Sequence, residues 1–463
     1  MGTEQDGTRG ETGPRQADVL VLFGISGDLA YQQIFPALLA LSRRGQLTVP
    51  VIGVARPAWS RAQLLDRVRS SLVARGDVDV RAFEALAARL SYVSGDYQNP
   101  ETFSRLKQAL GRASRPLFYL AIPPSLFGLV SSSLALSGCA ADARLIVEKP
   151  FGRDLASARA LNATLHERFP ESAIYRIDHF LGKEPVQNLL YFRFANAFLD
   201  PLWNATYVDH VRITMTEAFG IRGRGRFYEE VGAIRDVFQN HLLQILALLA
   251  MDAPASSHGV AIEAGKVALL RSVRPLTPED VVRGQYRGYT AEPGVAPDSR
   301  VETFVAARLS IPTDRWRGVP FLIRSGKKMS ATVTDVLVTF KRPAHPIFDA
   351  ATGTPNALRF RLSPDISIAL TARRKAPGEE MAGEDISLID ARCPSDEMSA
   401  YERLLGDALD GDRTLFGSEA GVEAAWRIVE PVLHLAEPPH LYADGSDGPA
   451  EEDTAGRGNG HTR

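Results

Sequence analysis

Three chemically different groups fall within six residues near the middle of the chain: the carboxylate of Asp178, the imidazole of His179 and the ammonium group of Lys183. Pro185 follows, and proline suits the first turn of a helix because its missing N–H is not needed there. Free backbone N–H groups at a helix start, beside a histidine and a lysine, can bind a phosphate group. Asp178 could orient an imidazole, either its neighbour's or a distant one. The segment predicts a phosphate-binding site; an ordinary loop-to-helix junction with solvated charges is the alternative.

A second set of chemical groups lies further along the chain and includes Glu217, Asp236 and His241. His241 stands in a stretch that is otherwise rich in leucine, isoleucine and alanine, where a single histidine is usually a satisfied core residue. Asp236 and His241 are five residues apart, which places them about 140° apart around an α-helix. The spacing brings the two side chains into one cleft only if Asp236 lies at a frayed helix start.

A glycine-rich turn follows the first apolar run of the chain. Gly24 permits a tight turn, Gly27 lets the backbone approach a pyrophosphate, and Ala30 is small enough for close packing of a helix on a strand. An apolar run precedes the turn, and a helical pattern of apolar residues follows it. The order strand, glycine turn, helix predicts a dinucleotide-binding site.

Arg56 lies two positions after the second strand candidate, residues 49–54. A site that prefers NAD usually has an acidic residue there to hold the ribose 2′-hydroxyl, whereas a guanidinium favours a 2′-phosphate. The sequence therefore predicts NADP as the cofactor. A surface arginine on a loop is the alternative.

The elements that must position these groups change in character along the chain. Strand and helix patterns alternate up to about residue 172, which predicts a parallel, doubly wound α/β sheet. Strand-like runs without regular helix alternation follow up to residue 440, which predicts an α+β domain with a large, mainly antiparallel sheet. Residues 1–16 and 441–463 are rich in Gly, Asp, Glu and Arg, so we expect both tails to be disordered.

Composition excludes several classes of protein. The chain has 463 residues, 45% of them hydrophobic, and a formal net charge of −2 without a basic or acidic block, which argues against nucleic acid or an anionic membrane as a partner. No apolar run is long enough to span a membrane, and the N-terminus has no apolar signal core. Cys139 and Cys393 are far apart and lack partners at metal-binding spacing, so we expect reduced, buried thiols in a cytoplasmic protein.

With these motifs in order, the chain resembles the glucose-6-phosphate dehydrogenase family over most of its length. The matching blocks are found at residues 24–30, 119–124, 146–154, 175–184, 232–243, 283–286, 318–327 and 401–405. The resemblance implies a Rossmann-type domain at 17–172 that binds NADP. It also implies a substrate-binding and dimerisation domain at 173–440, in a homodimer or homotetramer.

The resemblance also implies roles for individual residues. His241 matches the general base and Asp178 the carboxylate paired with it. The positions that match substrate-binding residues are His179, Lys183, Glu217, Asp236, Lys327 and Lys149. Those that match the cofactor site are Gly24, Ser26, Gly27, Asp28, Leu29, Arg56, Pro123 and Lys149. We also expect that one of the peptide bonds of the pair Pro123-Pro124, which follows a strand, can be cis. The implied reaction transfers hydride from the anomeric carbon of a hexose 6-phosphate to NADP, and no metal is required.

The chain departs from the family pattern at three positions. Tyr31 and Thr332 stand where the family usually carries basic residues, and Phe180 stands where it often has tyrosine. Glucose 6-phosphate is the expected substrate. A cationic sugar such as glucosamine 6-phosphate is an alternative, because removing two cations from a pocket reduces charge repulsion. A weakly catalytic regulatory relative that binds sugar phosphate is a third hypothesis.

Overall fold

A computed structural model describes residues 16–76, 79–345, 347–348, 353–392 and 398–450. These residues divide into two compact units. The first lies within Met1–Pro150, Leu161–His179 and Ser399–Gly417. The second lies within Phe151–Ala160, Phe180–Met398 and Ser418–Arg463. The expected boundary at residue 172 therefore differs from the structure. The first unit continues to His179 and also includes Ser399–Gly417, near the C-terminus.

The strands of the described residues are, in chain order, β1 (Val19–Phe23), β2 (Val51–Ala55), β3 (Leu90–Ser94), β4 (Pro116–Leu120), β5 (Arg144–Glu148), β6 (Ile174–Ile177), β7 (Val208–Glu217), β8 (Val281–Tyr286), β9 (Phe304–Ser310), β10 (Pro320–Lys327), β11 (Val333–Phe340), β12 (Ala357–Ser363), β13 (Ile366–Lys375), β14 (Gly383–Arg392) and β15 (His440–Tyr442).

The α-helices are α1 (Phe35–Arg43), α2 (Arg61–Ala74), α3 (Val80–Arg89), α4 (Pro100–Leu110), α5 (Phe127–Leu136), α6 (Leu155–His166), α7 (Glu184–Ala195), α8 (Gly225–Ala233), α9 (Leu243–Ala250), α10 (Gly259–Ser272), α11 (Ala400–Asp410) and α12 (Glu419–Val429). Two further segments have π-helical hydrogen bonding, Ala30–Ile34 and Ile234–Leu242.

A six-stranded parallel sheet forms the centre of the first unit, with strand order β3-β2-β1-β4-β5-β6. All five residues of β1, β2 and β4 are buried, as expected for strands covered by helices on both faces. This strand order is that of the doubly wound dinucleotide-binding fold. The predicted α/β domain is confirmed, and β6 extends it beyond the boundary that the sequence suggested.

Helix α2 of the first unit begins at a capping box. The Ser60 hydroxyl accepts a hydrogen bond from the Gln63 N–H at 3.3 Å, and the Gln63 side chain accepts one from the Ser60 N–H at 2.8 Å. This reciprocal pair satisfies two backbone donors at the helix start. The helix thereby starts at a defined position after β2.

A nine-stranded mixed sheet dominates the second unit, with strand order β14-β13-β12-β11-β7-β10-β9-β8-β15. Its pairs are antiparallel except β7 with β10 and β8 with β15. The expected mainly antiparallel α+β domain is confirmed. All residues of α9 except Gln244 are buried in the core of this unit, which explains why Leu, Ile and Ala surround His241 in the sequence.

The C-terminal segment differs from the sequence expectation. A disordered tail was expected from residue 441, whereas Leu441 and Tyr442 belong to β15. The Tyr442 hydroxyl donates a hydrogen bond to the Lys327 carbonyl at 2.7 Å, so this strand is fixed to the sheet. Cys139 is buried as expected, and Cys393 lies outside the described residues. In the part of the chain that the structure describes, no helix has the length and apolar character needed to span a membrane.

Candidate functional site

The turn after β1 requires glycine at its first position. Gly24 has φ of +78°, and a Cβ there would lie 2.1 Å from the Ala121 carbonyl oxygen. The Gly24 N–H donates to the Val54 carbonyl and to the Tyr97 hydroxyl, both at 2.9 Å. A side chain at Gly24 would therefore disrupt the first unit. Gly27 is less constrained, since a Cβ would lie 3.2 Å from its nearest neighbour, the Gly24 carbonyl oxygen.

The other predicted cofactor residues lie at strand ends of the same sheet. Ser26, Asp28 and Leu29 belong to the turn itself. Arg56 follows β2, and its exposed guanidinium lies 3.9 Å from the carboxylate of Asp96.

Two proline positions follow neighbouring strands of this sheet. Pro123 follows β4, directly before a short 3₁₀ turn, Pro124–Leu126. The cis peptide bond considered at Pro123–Pro124 is found instead at Lys149–Pro150, after β5.

A buried carboxylate ends β5. Glu148 accepts a hydrogen bond from the Tyr119 hydroxyl at 2.5 Å, and Tyr401 also bonds to it. Burial raises the pKa of Glu148 to about 7, although the hydrogen bonds from both tyrosines and the charge of Lys149 lower it. Burial likewise raises the pKa of both tyrosine hydroxyls, so they remain donors.

Asp178 and His179 directly follow β6 in the first unit. Asp178 is buried, and the ring of His179 stacks on the ring of Tyr401 with 6.1 Å between centroids. Tyr401 thus contacts both His179 and Glu148, which links these two groups through one aromatic side chain.

The ring of Phe180 contacts two predicted site residues of the second unit. The His241 ring stacks on the Phe180 ring with 5.1 Å between centroids, and the ammonium group of Lys183 lies 4.9 Å from the same ring. A cation over an aromatic face is electrostatically favourable. The residue that replaces the family's frequent tyrosine therefore still fixes the imidazole and the ammonium group relative to each other.

The π-helical segment Ile234–Leu242 corrects the argument from helical spacing. In a π-helix the hydrogen bonds connect residue i to residue i+5, so side chains five positions apart lie on the same side. Asp236 and His241 therefore share one side of the segment. The 140° separation was wrong because it assumed an α-helix.

Glu302 holds the start of that segment. Its carboxylate accepts a hydrogen bond from the Ile234 N–H at 3.0 Å, and its carbonyl accepts one from the Ala233 N–H at 2.9 Å. Gly232 has φ of +58°, and a Cβ there would lie 2.5 Å from the Glu302 carboxylate. Burial raises the pKa of Glu302, while the N–H of Ile234 and the charges of Arg283 and Arg235 lower it.

A buried ammonium group joins the remaining predicted residues. Lys327 forms an ion pair with Glu217, and its Nζ lies 4.0 Å from the Asp236 carboxylate and 5.3 Å from the Tyr228 ring centroid. Lys327 and Glu217 are register partners at the ends of the parallel strands β10 and β7. The sheet itself therefore brings together two residues that are far apart in sequence.

Two of the positions that depart from the family have partners within their own units. The Tyr31 hydroxyl lies 3.1 Å from that of Ser70 on α2, so the side chain packs against that helix. The Thr332 hydroxyl accepts a hydrogen bond from the Ala218 N–H at 2.9 Å, next to Glu217. Thr332 therefore lies beside the Lys327 cluster of the second unit.

The sequence matches two family descriptions in succession. Residues 21–188 match "Glucose-6-phosphate dehydrogenase, NAD binding domain", and residues 190–462 match "Glucose-6-phosphate dehydrogenase, C-terminal domain". The chain belongs to the glucose-6-phosphate dehydrogenase family.

Individual relatives support this membership over nearly the whole chain. Glucose-6-phosphate 1-dehydrogenase 1 of Mycobacterium tuberculosis is 42% identical, covering 96% of this chain and 95% of the relative. Glucose-6-phosphate 1-dehydrogenase 5, cytoplasmic, of Arabidopsis thaliana is 40% identical, and the match covers 94% of this chain and 90% of the relative.

Solved structures of the glucose-6-phosphate dehydrogenase family have the same fold. The enzyme from Mycobacterium avium superimposes with a TM-score of 0.90 at 43% identity, covering 97% of this chain and 98% of the other. A glucose-6-phosphate dehydrogenase in complex with its substrate glucose-6-phosphate superimposes with a TM-score of 0.89 at 34% identity, covering 98% and 100%.

Several residues that support the site were not singled out from the sequence. Tyr119, Glu148 and Tyr401 lie within blocks that resemble the glucose-6-phosphate dehydrogenase family, so their positions carried a signal that single-residue reasoning did not use. Glu302 and Tyr442 gave no such signal, because their roles depend on contacts between distant parts of the sheet.

The pKa of Glu148 predicts a pH-dependent stability. The folded chain keeps a proton on Glu148 between its ordinary pKa of 4.5 and about 7, whereas the unfolded chain loses it. Stability is therefore lost as the pH rises through this window. Glu148→Gln keeps an acceptor and cannot ionise, so its stability relative to the native chain should rise by up to ~3 kcal/mol between about pH 5 and pH 8.

Urea denaturation of the native chain and the Glu148→Gln variant across this pH range measures the effect. Glu84→Gln is the matched control, because Glu84 is an exposed glutamate of α3. A pH-independent difference between Glu148→Gln and the native chain would contradict the raised pKa.

Proposed function

We propose that this chain oxidises glucose 6-phosphate at its anomeric carbon with NADP, giving the 6-phospholactone and NADPH. The observation that carries the proposal is the contact of one ring, Phe180, with both the His241 imidazole and the Lys183 ammonium group. A base and a phosphate-binding cation are thereby held at a fixed separation. Relatives that carry the name glucose-6-phosphate 1-dehydrogenase over nearly the whole chain support the same activity.

His241 is the proposed general base. Oxidation of the anomeric carbon requires a base that removes the hydroxyl proton, and an imidazole with an ordinary pKa of ~6.5 can do so near neutral pH. When bound, NADP accepts the hydride from that carbon. Asp178 is proposed to orient the imidazole and to stabilise the imidazolium that forms.

Two groups of residues are proposed to bind the sugar phosphate. His179 and Lys183 bind the phosphate, where charge-assisted hydrogen bonds are strong. Glu217 and Asp236 accept hydrogen bonds from sugar hydroxyls. Lys327, which forms an ion pair with Glu217 and lies 4.0 Å from Asp236, contacts the substrate.

The first unit is proposed to bind the cofactor. The turn residues Gly24, Ser26, Gly27, Asp28 and Leu29 would hold the pyrophosphate at a helix start. The remaining proposed cofactor contacts are Arg56 at the 2′-phosphate, Pro123 near the nicotinamide, and Lys149, which also contacts the substrate.

Glucose 6-phosphate is favoured over a cationic amino sugar. A protein whose structure superimposes on this chain with a TM-score of 0.89 is in complex with its substrate glucose-6-phosphate. The second unit also keeps Lys183 and Lys327, the lysines proposed to bind the sugar phosphate.

We also propose that the chain self-associates and acts in the cytoplasm. Leu370 and Leu388 are register partners on β13 and β14, so they share one face of the sheet, and both are exposed. Apolar patches of this kind mark interfaces. The Arabidopsis thaliana relative, named as cytoplasmic, supports the location.

Replacement of the proposed base tests the reaction. His241→Asn should lower kcat by roughly two or more orders of magnitude and change the affinity for glucose 6-phosphate by less than about tenfold. Steady-state NADPH formation and calorimetric titration with the sugar phosphate measure both quantities. His210→Asn, at a histidine of β7 paired with Asp209, is the control. Near-normal kcat in His241→Asn would remove His241 from the mechanism.

Replacement of Arg56 tests the cofactor preference. Arg56→Ala should raise the Kd of NADP by about tenfold or more and leave that of NAD nearly unchanged, because only NADP carries the 2′-phosphate. Fluorescence titrations with both cofactors measure this, with exposed Arg105 of α4, as Arg105→Ala, for comparison. Equal weakening of both cofactors would mean that Arg56 supports the fold instead.

A charge on the exposed sheet face tests self-association. Leu388→Glu should shift the native chain from dimer or tetramer towards smaller species, because a carboxylate is costly to bury in an apolar interface. Sedimentation velocity measures the shift, and Val260→Glu on the exposed side of α10 is the control. A native chain that sediments as a monomer would contradict the proposal.

A further inference from the structure

The tyrosine that replaces a basic residue after the glycine turn holds an arginine from another helix. The guanidinium carbon of Arg67, on α2, lies 4.3 Å from the centroid of the Tyr31 ring. The Tyr31 hydroxyl lies 3.1 Å from the Ser70 hydroxyl, and the Ser71 hydroxyl donates to the Tyr31 carbonyl. The hydroxyl and the backbone carbonyl of Tyr31 are therefore both held against α2, and the ring forms a platform for Arg67.

Arg67 reaches the glycine turn from this platform. One of its terminal nitrogens lies 3.5 Å from the Ser26 carbonyl oxygen and 3.8 Å from the Asp28 carboxylate. Ser26 and Asp28 are the turn residues that would lie beside the pyrophosphate of a bound dinucleotide. A positive charge thus stands at the turn although position 31 is not basic.

The N–H donors of the Arg67 guanidinium make only long, weak polar contacts. A guanidinium has five N–H donors, and ordinary N–H···O bonds span about 2.7–3.2 Å. Within the described part of the chain, both of its polar contacts are longer than that, and its buried Nε has no hydrogen-bond partner. Asp28 is 91% exposed, so its pairing with Arg67 contributes little. The group is held in position by the ring and keeps donors available for an anion.

We propose that Arg67 is a cofactor-binding residue that contacts the pyrophosphate of the dinucleotide. The inference rests on the proposed function, since it assigns a residue to the same cofactor. A planar guanidinium can donate two parallel hydrogen bonds to phosphate oxygens. In this chain α2 places a cation beside the glycine turn.

Two other roles for Arg67 make different predictions. An arginine that only stabilises the turn would affect folding more than the cofactor's Kd. An arginine that binds the 2′-phosphate would change the Kd of NADP and leave the Kd of NAD unchanged. A contact to the pyrophosphate, which both cofactors share, affects both equally.

Cofactor titrations of the full chain distinguish these roles. We would measure the Kd of NADP and of NAD by fluorescence for the native chain and for Arg67→Gln. Arg69→Gln is the matched control, because Arg69 lies two positions away on the same helix and stacks on Phe83 at 4.9 Å. Tyr31→Phe keeps the platform and Tyr31→Ala removes it.

The expected result is a rise of about tenfold or more in the Kd of both cofactors for Arg67→Gln. Tyr31→Ala should change both Kd values in the same direction, while Tyr31→Phe and Arg69→Gln should remain near native.

The inference is overturned if Arg67→Gln binds both cofactors as tightly as the native chain does, or if it binds only NADP more weakly. It is also overturned if Arg69→Gln raises both Kd values as much as Arg67→Gln does. A native chain that binds neither cofactor would overturn the proposed function itself, whereas native binding with an unaffected Arg67→Gln variant would overturn only this assignment.

Discussion

The hydrogen-bond pattern of Ile234–Leu242 is the constraint on which the proposed chemistry depends. With α-helical bonding, Asp236 and His241 would point in different directions; with π-helical bonding, they lie on one side. A π-helical segment is rare and needs external support. Here Glu302 accepts the N–H of Ile234, and Gly232 permits the positive φ that precedes the segment. Glu302, a buried carboxylate outside the predicted site residues, therefore determines where two candidate site residues point.

The same unit stabilises a buried ammonium group by sheet geometry. A buried lysine is costly unless carboxylates lie close to it. The parallel register of β7 and β10 places Glu217 against Lys327, and Asp236 lies 4.0 Å away on the π-helical segment. One lysine thus connects the sheet to the segment that carries His241. The ring of Phe180 completes this arrangement, because it contacts both His241 and Lys183.

The sequence predicted the architecture well where local patterns determine it. Strand and helix alternation indicated the parallel sheet, and the glycine turn indicated where a dinucleotide-binding site would begin. The boundary at residue 172 and the tail from 441 differed from the structure, because β6, α11 and β15 join their sheets and cores from distant parts of the chain. The relation of Asp236 to His241 could not be predicted from α-helical periodicity, since a π-helix leaves no clear periodic signal in nine residues. The contact between Tyr31 and Arg67 was equally inaccessible, because it joins two helices through side chains.

The most direct test is the reaction of the native chain itself. We would compare NADPH formation from glucose 6-phosphate, glucosamine 6-phosphate and unphosphorylated glucose under the same conditions. The account predicts NADPH formation with glucose 6-phosphate, and a kcat/KM for glucose at least about a hundredfold lower, because glucose cannot bond to the phosphate-binding cations. The absence of NADPH with glucose 6-phosphate, or a kcat/KM for glucose that equals it, would contradict the account.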